Sequence, residues 1–196
     1  MLLRNILNIG AKAYSMTETQ NPLLIPSTLR NYTPRFDSIR EEHYKPAVEA
    51  AIIEARANVD EIVNNPEPPT FENTIVALEL AGQTLDVVTG IFYNQLTACG
   101  TDGLQALADE IGPIQANFGS DIILNPQLFA RVKCVYDQRE DILLTTEQET
   151  LLSDTYKNFV RGGALLDDND KAKFRKINEE MSTLAPRFSN NVKKSS

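Results

Sequence analysis

The sequence predicts an all-α protein, a bundle of about six helices preceded by an extended N-terminal arm. After residue 40, apolar side chains recur at spacings of three and four residues through most of the chain. No stretch shows the sustained period-two alternation, rich in Val, Ile and Thr, that is typical of half-buried strands. No internal repeat of fixed period emerges, which disfavours a solenoid.

The composition is that of an ordinary globular domain, with 42% hydrophobic and 23% charged residues among 196. The net charge of −8 disfavours a nucleic-acid partner. Phosphate binding needs a cluster of Lys and Arg side chains, and only the short Lys193–Lys194 pair offers one. Cys99 and Cys134 lack any CxxC pattern, so neither a disulfide framework nor a thiolate zinc site is indicated. We therefore expect a reducing, cytoplasmic location.

Residues 1–20 are expected to be a disordered or dispensable extension, and residues 21–196 to form the helical domain. Residues 1–13 end in an A-x-A pattern like that of a signal peptide, but Arg4, Asn5 and Asn8 interrupt the apolar stretch that a signal needs. No run approaches the roughly 20 apolar residues that cross a bilayer, so no membrane partner is expected.

Residues 17–40 are rich in Pro, Asn, Ser and Thr, and prolines break any regular element there. This segment is predicted to be an extended arm that docks through Leu23, Leu24, Ile25 and Phe36. The first helix follows, with Pro46 at its first position and a stripe that ends at Asn64–Pro66. The stripe consists of Val48, Ile52, Ala55, Val59 and Ile62.

Thr70 is predicted to cap a second, long helix that reaches Cys99–Gly100. Thr101 is the cap expected for a third helix, which Gly112 and Pro113 should kink or divide. Asn125 followed by Pro126 predicts the start of a shorter fourth helix.

A capping box, Thr145 to Gln148, predicts a fifth helix that ends at Gly162–Gly163. The acids of residues 167–170 should begin a sixth helix, where the dipole favours negative charge. Its stripe contains Phe174, Ile177, Met181, Leu184 and Phe188, with Pro186 expected to bend it. No Gly or Pro stops this helix near Val192, so we expect the chain to end before the complete fold does.

No catalytic, cofactor-binding or metal-binding residue is assigned in this chain. His43 is the only histidine, whereas catalytic zinc usually needs three protein ligands, such as those of an H-E-x-x-H helix. A His43 ring bonded to backbone or to a carboxylate is the favoured interpretation. No serine or cysteine protease signature accompanies it.

Paired carboxylates are the remaining candidates for acid–base chemistry: Glu41 with Glu42, Asp167 with Asp168 and Asp170, and Glu179 with Glu180. Each pair is better explained as a solvated face or the N-terminus of a helix. The Asp-rich run fails as a calcium loop because a loop that starts at Asp168 lacks a glycine at its sixth position.

Several phrases in sequence order carry a resemblance: NPLL (21–24), FDSIREEHYKPA (36–47), NPEPPTFENT (65–74), ILNPQLFARV (123–132), YDQR (136–139), YKNFVRGGALL (156–166) and INEEMSTLAPRFSN (177–190). Together they resemble the N-terminal region of the thimet oligopeptidase-like family of zinc metallopeptidases over about residues 21–192. The bacterial peptidyl-dipeptidases, or dipeptidyl carboxypeptidases, are the most similar branch, and oligopeptidase A comes next.

The resemblance implies that this chain is the helical portion that covers the substrate channel, while zinc and catalysis lie in a catalytic domain absent from it. The complete protein would then bind zinc and release C-terminal dipeptides from short peptides, and this chain alone would be inactive. The alternative is a free-standing helical module that binds a peptide or protein without catalysis. A third hypothesis, a small enzyme that uses His43 with Glu41 or Glu42, requires these groups to line one pocket.

The last predicted helix distinguishes the first two hypotheses. Uncovered apolar residues around Phe174, Ile177, Leu184 and Phe188 would favour a portion of a larger protein. An independent module should instead carry polar side chains there.

Overall fold

The computed structural model describes residues 21–195, with side chains through Ser182 and, beyond it, those of Leu184 and Phe188. Over these residues the chain is helical and has no strand, which confirms the all-α prediction. The predicted extension, residues 1–20, lies outside the described part. The helices are α1 (Glu41–Val63), α2 (Ala77–Ala81), α3 (Gln83–Ala98), α4 (Asp102–Ile123), α5 (Pro126–Asp137), α6 (Thr146–Arg161) and α7 (Asp168–Ser195).

The arm, from residue 21 to residue 40, packs on the helices less than predicted. Leu23 is buried, but Leu24, Ile25 and Phe36 are exposed. The arm is held at its beginning, where the Asn21 side-chain amide donates to the carbonyl of His43 at 2.8 Å. Docking therefore uses Leu23, this hydrogen bond and, at the other end of the arm, Ile39, which packs against the same buried cluster. The prediction that Leu24, Ile25 and Phe36 are docking residues is not supported, because none of them is buried.

Helix α1 begins five residues earlier than Pro46 predicts, at Glu41. The backbone N–H of Arg40 donates to Nδ1 of His43 at 2.9 Å, so a side chain in the first turn satisfies a group at the helix start. Pro46 consequently lies inside the helix, in its second turn. The predicted stripe is confirmed, because all five of its residues are buried.

The predicted second helix is divided into three pieces. Thr70 caps it as predicted, accepting from the N–H of Asn73 at 3.1 Å, and a π-helical segment, Phe71–Val76, follows before α2. Gly82 then separates α2 from α3. Asn58 of α1 donates to the carbonyl of Ala81 at 3.0 Å, so it satisfies an acceptor at the break.

The segment Phe71–Ala98 is long and apolar enough, by length and composition, to cross a membrane. Four of its large apolar side chains, Phe71, Ile75, Val88 and Phe92, are buried in the core, although only 28% of its most apolar stretch is buried. The interruption at Gly82 also makes it two helices with a π-helical start. A core helix passes the same test of length and composition, so this segment carries little weight as a membrane span.

The remaining start signals are confirmed, and one predicted break is wrong. Thr101, Asn125 and Thr145 each accept a backbone N–H at the start of α4, α5 and α6. Helix α4 is not divided at Gly112 and Pro113, but runs unbroken to Ile123. Helix α7 also continues through residue 186, whose side chain is outside the description.

Two clusters of buried side chains surround α1. Its first half packs with α3 and α4 around Val48, Val88, Phe92 and Ile111. Its second half packs with the π-helical segment, α5 and α6 around residues such as Ile62 and Leu128. None of the described side chains of helix α7 belongs to either cluster, and the helix packs chiefly against α4.

Candidate functional site

The single histidine serves the start of α1. Besides its bond to the N–H of Arg40, its Nε2 lies 4.0 Å from an oxygen of Glu42, which is beyond hydrogen-bond reach. The prediction of a backbone-bonded ring is therefore confirmed. Because Nδ1 is engaged by the backbone, proton transfer or metal binding through that nitrogen would cost the start of α1 a hydrogen bond.

Glu41 points to a different element. Its carboxylate accepts from Oγ1 of Thr101 at 2.6 Å, at the N-terminus of α4, where the helix dipole favours negative charge. A Cβ atom at Gly103 would lie only 1.9 Å from Oε2 of Glu41, so the carboxylate occupies the space that a side chain there would fill. Glu41 and His43 thus hold different helix starts and form no acid–base pair.

The Asp-rich run begins α7 as predicted. Asp167 accepts from the N–H of Asp170 at 2.9 Å and so caps the helix. Asp170 in turn accepts from Nζ of Lys173 at 2.8 Å. No group of three or more His, Cys, Asp or Glu side chains that could hold a metal is present within residues 21–195.

The two cysteines, Cys99 and Cys134, show no arrangement typical of a nucleophilic thiol. Cys99 is exposed and Cys134 is partly buried, and both are free. Cys99 donates to the side chain of Gln95 and Cys134 accepts from that of Gln138, each a glutamine one helical turn away at 3.5 Å. Neither thiol has an acid or base placed to activate it as a nucleophile in these contacts.

Helix α7 is held on α4 by one of its faces. Asp121 of α4 accepts from Arg175 of α7 and, at 2.5 Å, from Arg56 of α1, so one carboxylate joins three helices. Asn178 donates to Oγ of Ser120 at 3.3 Å. Burial raises the pKa of Asp121, but the hydrogen bonds and charges of the two guanidinium groups outweigh it and leave the pKa below its usual value.

The α4–α7 contact is close because α4 presents small residues there. A Cβ atom at Gly112 would lie 3.2 Å from the backbone carbonyl oxygen of Ser182. The contacts run from Asp121 with Arg175 to Gly112 with Ser182, so the two helices are antiparallel.

A second face of α7 is exposed and apolar, and we call it the α7 apolar face. It lies about a third of a turn around the helix from the face on α4, given 3.6 residues per turn. Its side chains are between 55% and 72% exposed, although they are large and apolar. They are Ile177, Met181, Leu184 and Phe188.

The sequence identified this stripe but not its exposure. Within it Phe174, at the edge nearest α4, is only partly exposed. The side chains of Ile177, Leu184 and Phe188 are exposed, which is the result expected for a portion of a larger protein. The α7 apolar face is therefore the feature of the described chain that most clearly invites a partner.

A depression of about 250 Å³ lies between the Pro-rich loop before α2 and the loop that follows α5. Glu72 is the one ionisable side chain in its lining, and Leu143 at its rim is fully exposed. Beside Glu72 the lining has the neutral polar side chains of Thr70 and Gln138 but no second acid or base, and Thr70 is engaged in capping the π-helical segment. This set does not make an acid–base catalytic site.

The sequence matches no protein-family model. It is, however, similar to curated peptidases. It is 40% identical over 170 residues to dipeptidyl carboxypeptidase of Escherichia coli, which covers 87% of this chain. It is 26% identical over 176 residues to the organellar oligopeptidase A of Arabidopsis thaliana and 24% identical over 172 residues to oligopeptidase A of Escherichia coli.

These comparisons confirm the resemblance that the sequence phrases indicate. The chain spans about a quarter of the length of the relatives that it matches, 25% for dipeptidyl carboxypeptidase and 22% for the organellar enzyme. Most of each relative therefore has no counterpart within these 196 residues.

Proposed function

We propose that this chain is the N-terminal, channel-covering helical portion of a zinc metallopeptidase that releases dipeptides from the C-termini of short peptides. The observation that carries the proposal is the 40% identity to dipeptidyl carboxypeptidase over 87% of this chain, against only 25% of the relative. Identity at that level along nearly the whole chain is hard to explain by shared helical composition alone.

On this proposal zinc is bound outside this chain. The donor set here does not fit a catalytic zinc site, since the one histidine is bonded to the start of α1 and, among the described residues, no three His, Cys, Asp or Glu side chains come together. We therefore derive no catalytic step from these residues. The role left to them is to wall a channel that admits short peptides and to support the domain that holds the metal.

Two further features support parts of the proposal. The α7 apolar face shows that a sizeable apolar surface of this portion is left without cover. The two unpaired thiols are compatible with a reducing, cytoplasmic compartment.

A free-standing binding module is the second candidate, and the exposed α7 apolar face is the observation in its favour. The same observation also weakens it, because an independently soluble module is expected to carry polar side chains on its outer helix. The third hypothesis, catalysis by His43 with Glu41 or Glu42, is contradicted by the geometry, which turns Glu41 to α4 and leaves Glu42 out of hydrogen-bond reach.

The test is complementation of a relative that lacks the matching quarter. Escherichia coli dipeptidyl carboxypeptidase without its matched segment is co-expressed with this chain and supplied with zinc. Dipeptide release from a short peptide is then followed by mass spectrometry. We expect no release by either chain alone and measurable release by the pair.

The control is the same pair prepared with a chelator, which should abolish release if zinc is the cofactor. Release of dipeptides by this chain alone would contradict the proposal. A pair that stays as inactive as its separate parts would count against it as well.

A further inference from the structure

The α7 apolar face has the spacing of a helix-pairing seam. Counted from Phe174 at its edge, the stripe continues through Ile177, Met181, Leu184 and Phe188 at intervals of three, four, three and four residues, an average of 3.5. An average repeat of 3.5 residues keeps apolar side chains in one line toward a neighbouring helix and is typical of left-handed helix pairs. The geometry therefore fits a second α-helix laid along α7 better than it fits a loop or a small molecule.

The rest of the described fold supplies no such helix. Helix α7 contacts the bundle chiefly through α4, and those contacts use its other face, through Arg175, Asn178 and Ser182. Since α7 has 28 residues, it is about 42 Å long and offers several turns for a second contact. Four large side chains more than half exposed along one line make an apolar patch that monomeric proteins seldom leave uncovered.

We propose that the α7 apolar face is the surface on which the catalytic portion of the peptidase docks, through one amphipathic helix packed along α7. This inference rests on the proposed function, because it takes as occupant the three-quarters of each relative that this chain does not match. A second copy of this chain is a less suitable occupant, since each copy carries a net charge of −8 and the two would repel one another.

The test compares four versions of this chain for binding to the catalytic portion of Escherichia coli dipeptidyl carboxypeptidase. The versions are the unaltered chain, Met181→Glu, Leu184→Glu and the control Ile53→Glu. Ile53 is an apolar residue of α1 that is 65% exposed, so its substitution makes the same change of charge away from α7. The catalytic portion carries an affinity tag, each version is co-expressed with it, and the dissociation constant of the purified pair is measured by sedimentation.

We expect both α7 variants to bind at least about tenfold more weakly than the unaltered chain, because a carboxylate in the middle of an apolar interface loses its hydration. The Ile53→Glu control should bind like the unaltered chain. Circular dichroism of each free variant separates lost docking from lost folding, since all substituted positions are exposed and the helix content should not change.

Equal binding by all four versions would overturn this inference and leave the proposed function standing. Failure of the unaltered chain to bind the catalytic portion would overturn both. A dimer of the unaltered chain that Met181→Glu dissociates would assign the α7 apolar face to a second copy and would likewise overturn the inference.

Discussion

Glu41 and His43 are two positions apart in the sequence, yet they hold different parts of the protein. His43 bonds to the backbone at the start of α1, whereas Glu41 reaches across to Thr101 at the start of α4. The structural role of His43 could be predicted because a lone histidine before a helix lacks partners for catalysis. The role of Glu41 could not, because it depends on a contact between residues 60 positions apart.

Gly103 is the residue that makes this contact possible. Gly103→Ala would place Cβ 1.9 Å from the carboxylate of Glu41, which must then leave the start of α4. The lost hydrogen bond and charge–dipole interaction should make Gly103→Ala about 1 kcal/mol less stable than a helical Gly→Ala change that meets no neighbour. Urea denaturation measures the difference.

Gly90→Ala is the matched control, since nothing lies within 4 Å of a Cβ atom at that position of α3. It should raise the free energy of unfolding by about 0.5–1 kcal/mol, because alanine is the better helix former. If Gly103→Ala stabilised the protein as much as Gly90→Ala does, Glu41 would not be fixed at α4 as described.

At the scale of elements, helix starts other than that of α1 were more predictable than helix interiors. Thr101, Asn125 and Thr145 act locally, each within three residues, so their caps follow from sequence alone. The break at Gly82 involves a neighbouring helix instead, and nothing in the sequence near Pro113 predicts that α4 runs through it unbroken. Asn58 of α1, for example, satisfies the carbonyl of Ala81 beside that break.

The attachment of α7 to α4 depends on the small size of Gly112. In Gly112→Ala the added Cβ would lie 3.2 Å from a backbone oxygen of Ser182, and backbone cannot turn aside as a flexible side chain can. We expect Gly112→Ala to be about 1 kcal/mol less stable than an alanine substitution in α4 that meets no neighbour. Amides of α7 should exchange faster than in the unaltered protein, whereas those of α1 should not. Hydrogen exchange read by mass spectrometry resolves the two helices.

The control is Gly119→Ala on the same helix, where nothing lies within 4 Å of a Cβ atom. That variant should be stabilised by about 0.5–1 kcal/mol and should leave exchange in α7 unchanged. Equal exchange in α7 for both variants would show that Gly112 does not set the distance between the helices.

At the scale of the whole molecule, α1 is the axis of the fold, because its two halves belong to different buried clusters. The helix class and the buried stripe of α1 could be predicted from apolar periodicity. The exposure of the α7 stripe could not, since periodicity marks an apolar face without saying what covers it. That exposed face and the match to a quarter of each relative agree on one account, a portion whose partner surface lies in the rest of a peptidase.

The size of the native protein tests this account most directly. An antibody raised against residues 21–182 is used to probe a lysate of the source cells after denaturing electrophoresis. The account predicts a band several times heavier than the 21.9 kDa of this chain, as expected for a protein of which it is about a quarter. A single band at 21.9 kDa would contradict it and would make the free-standing module the better description.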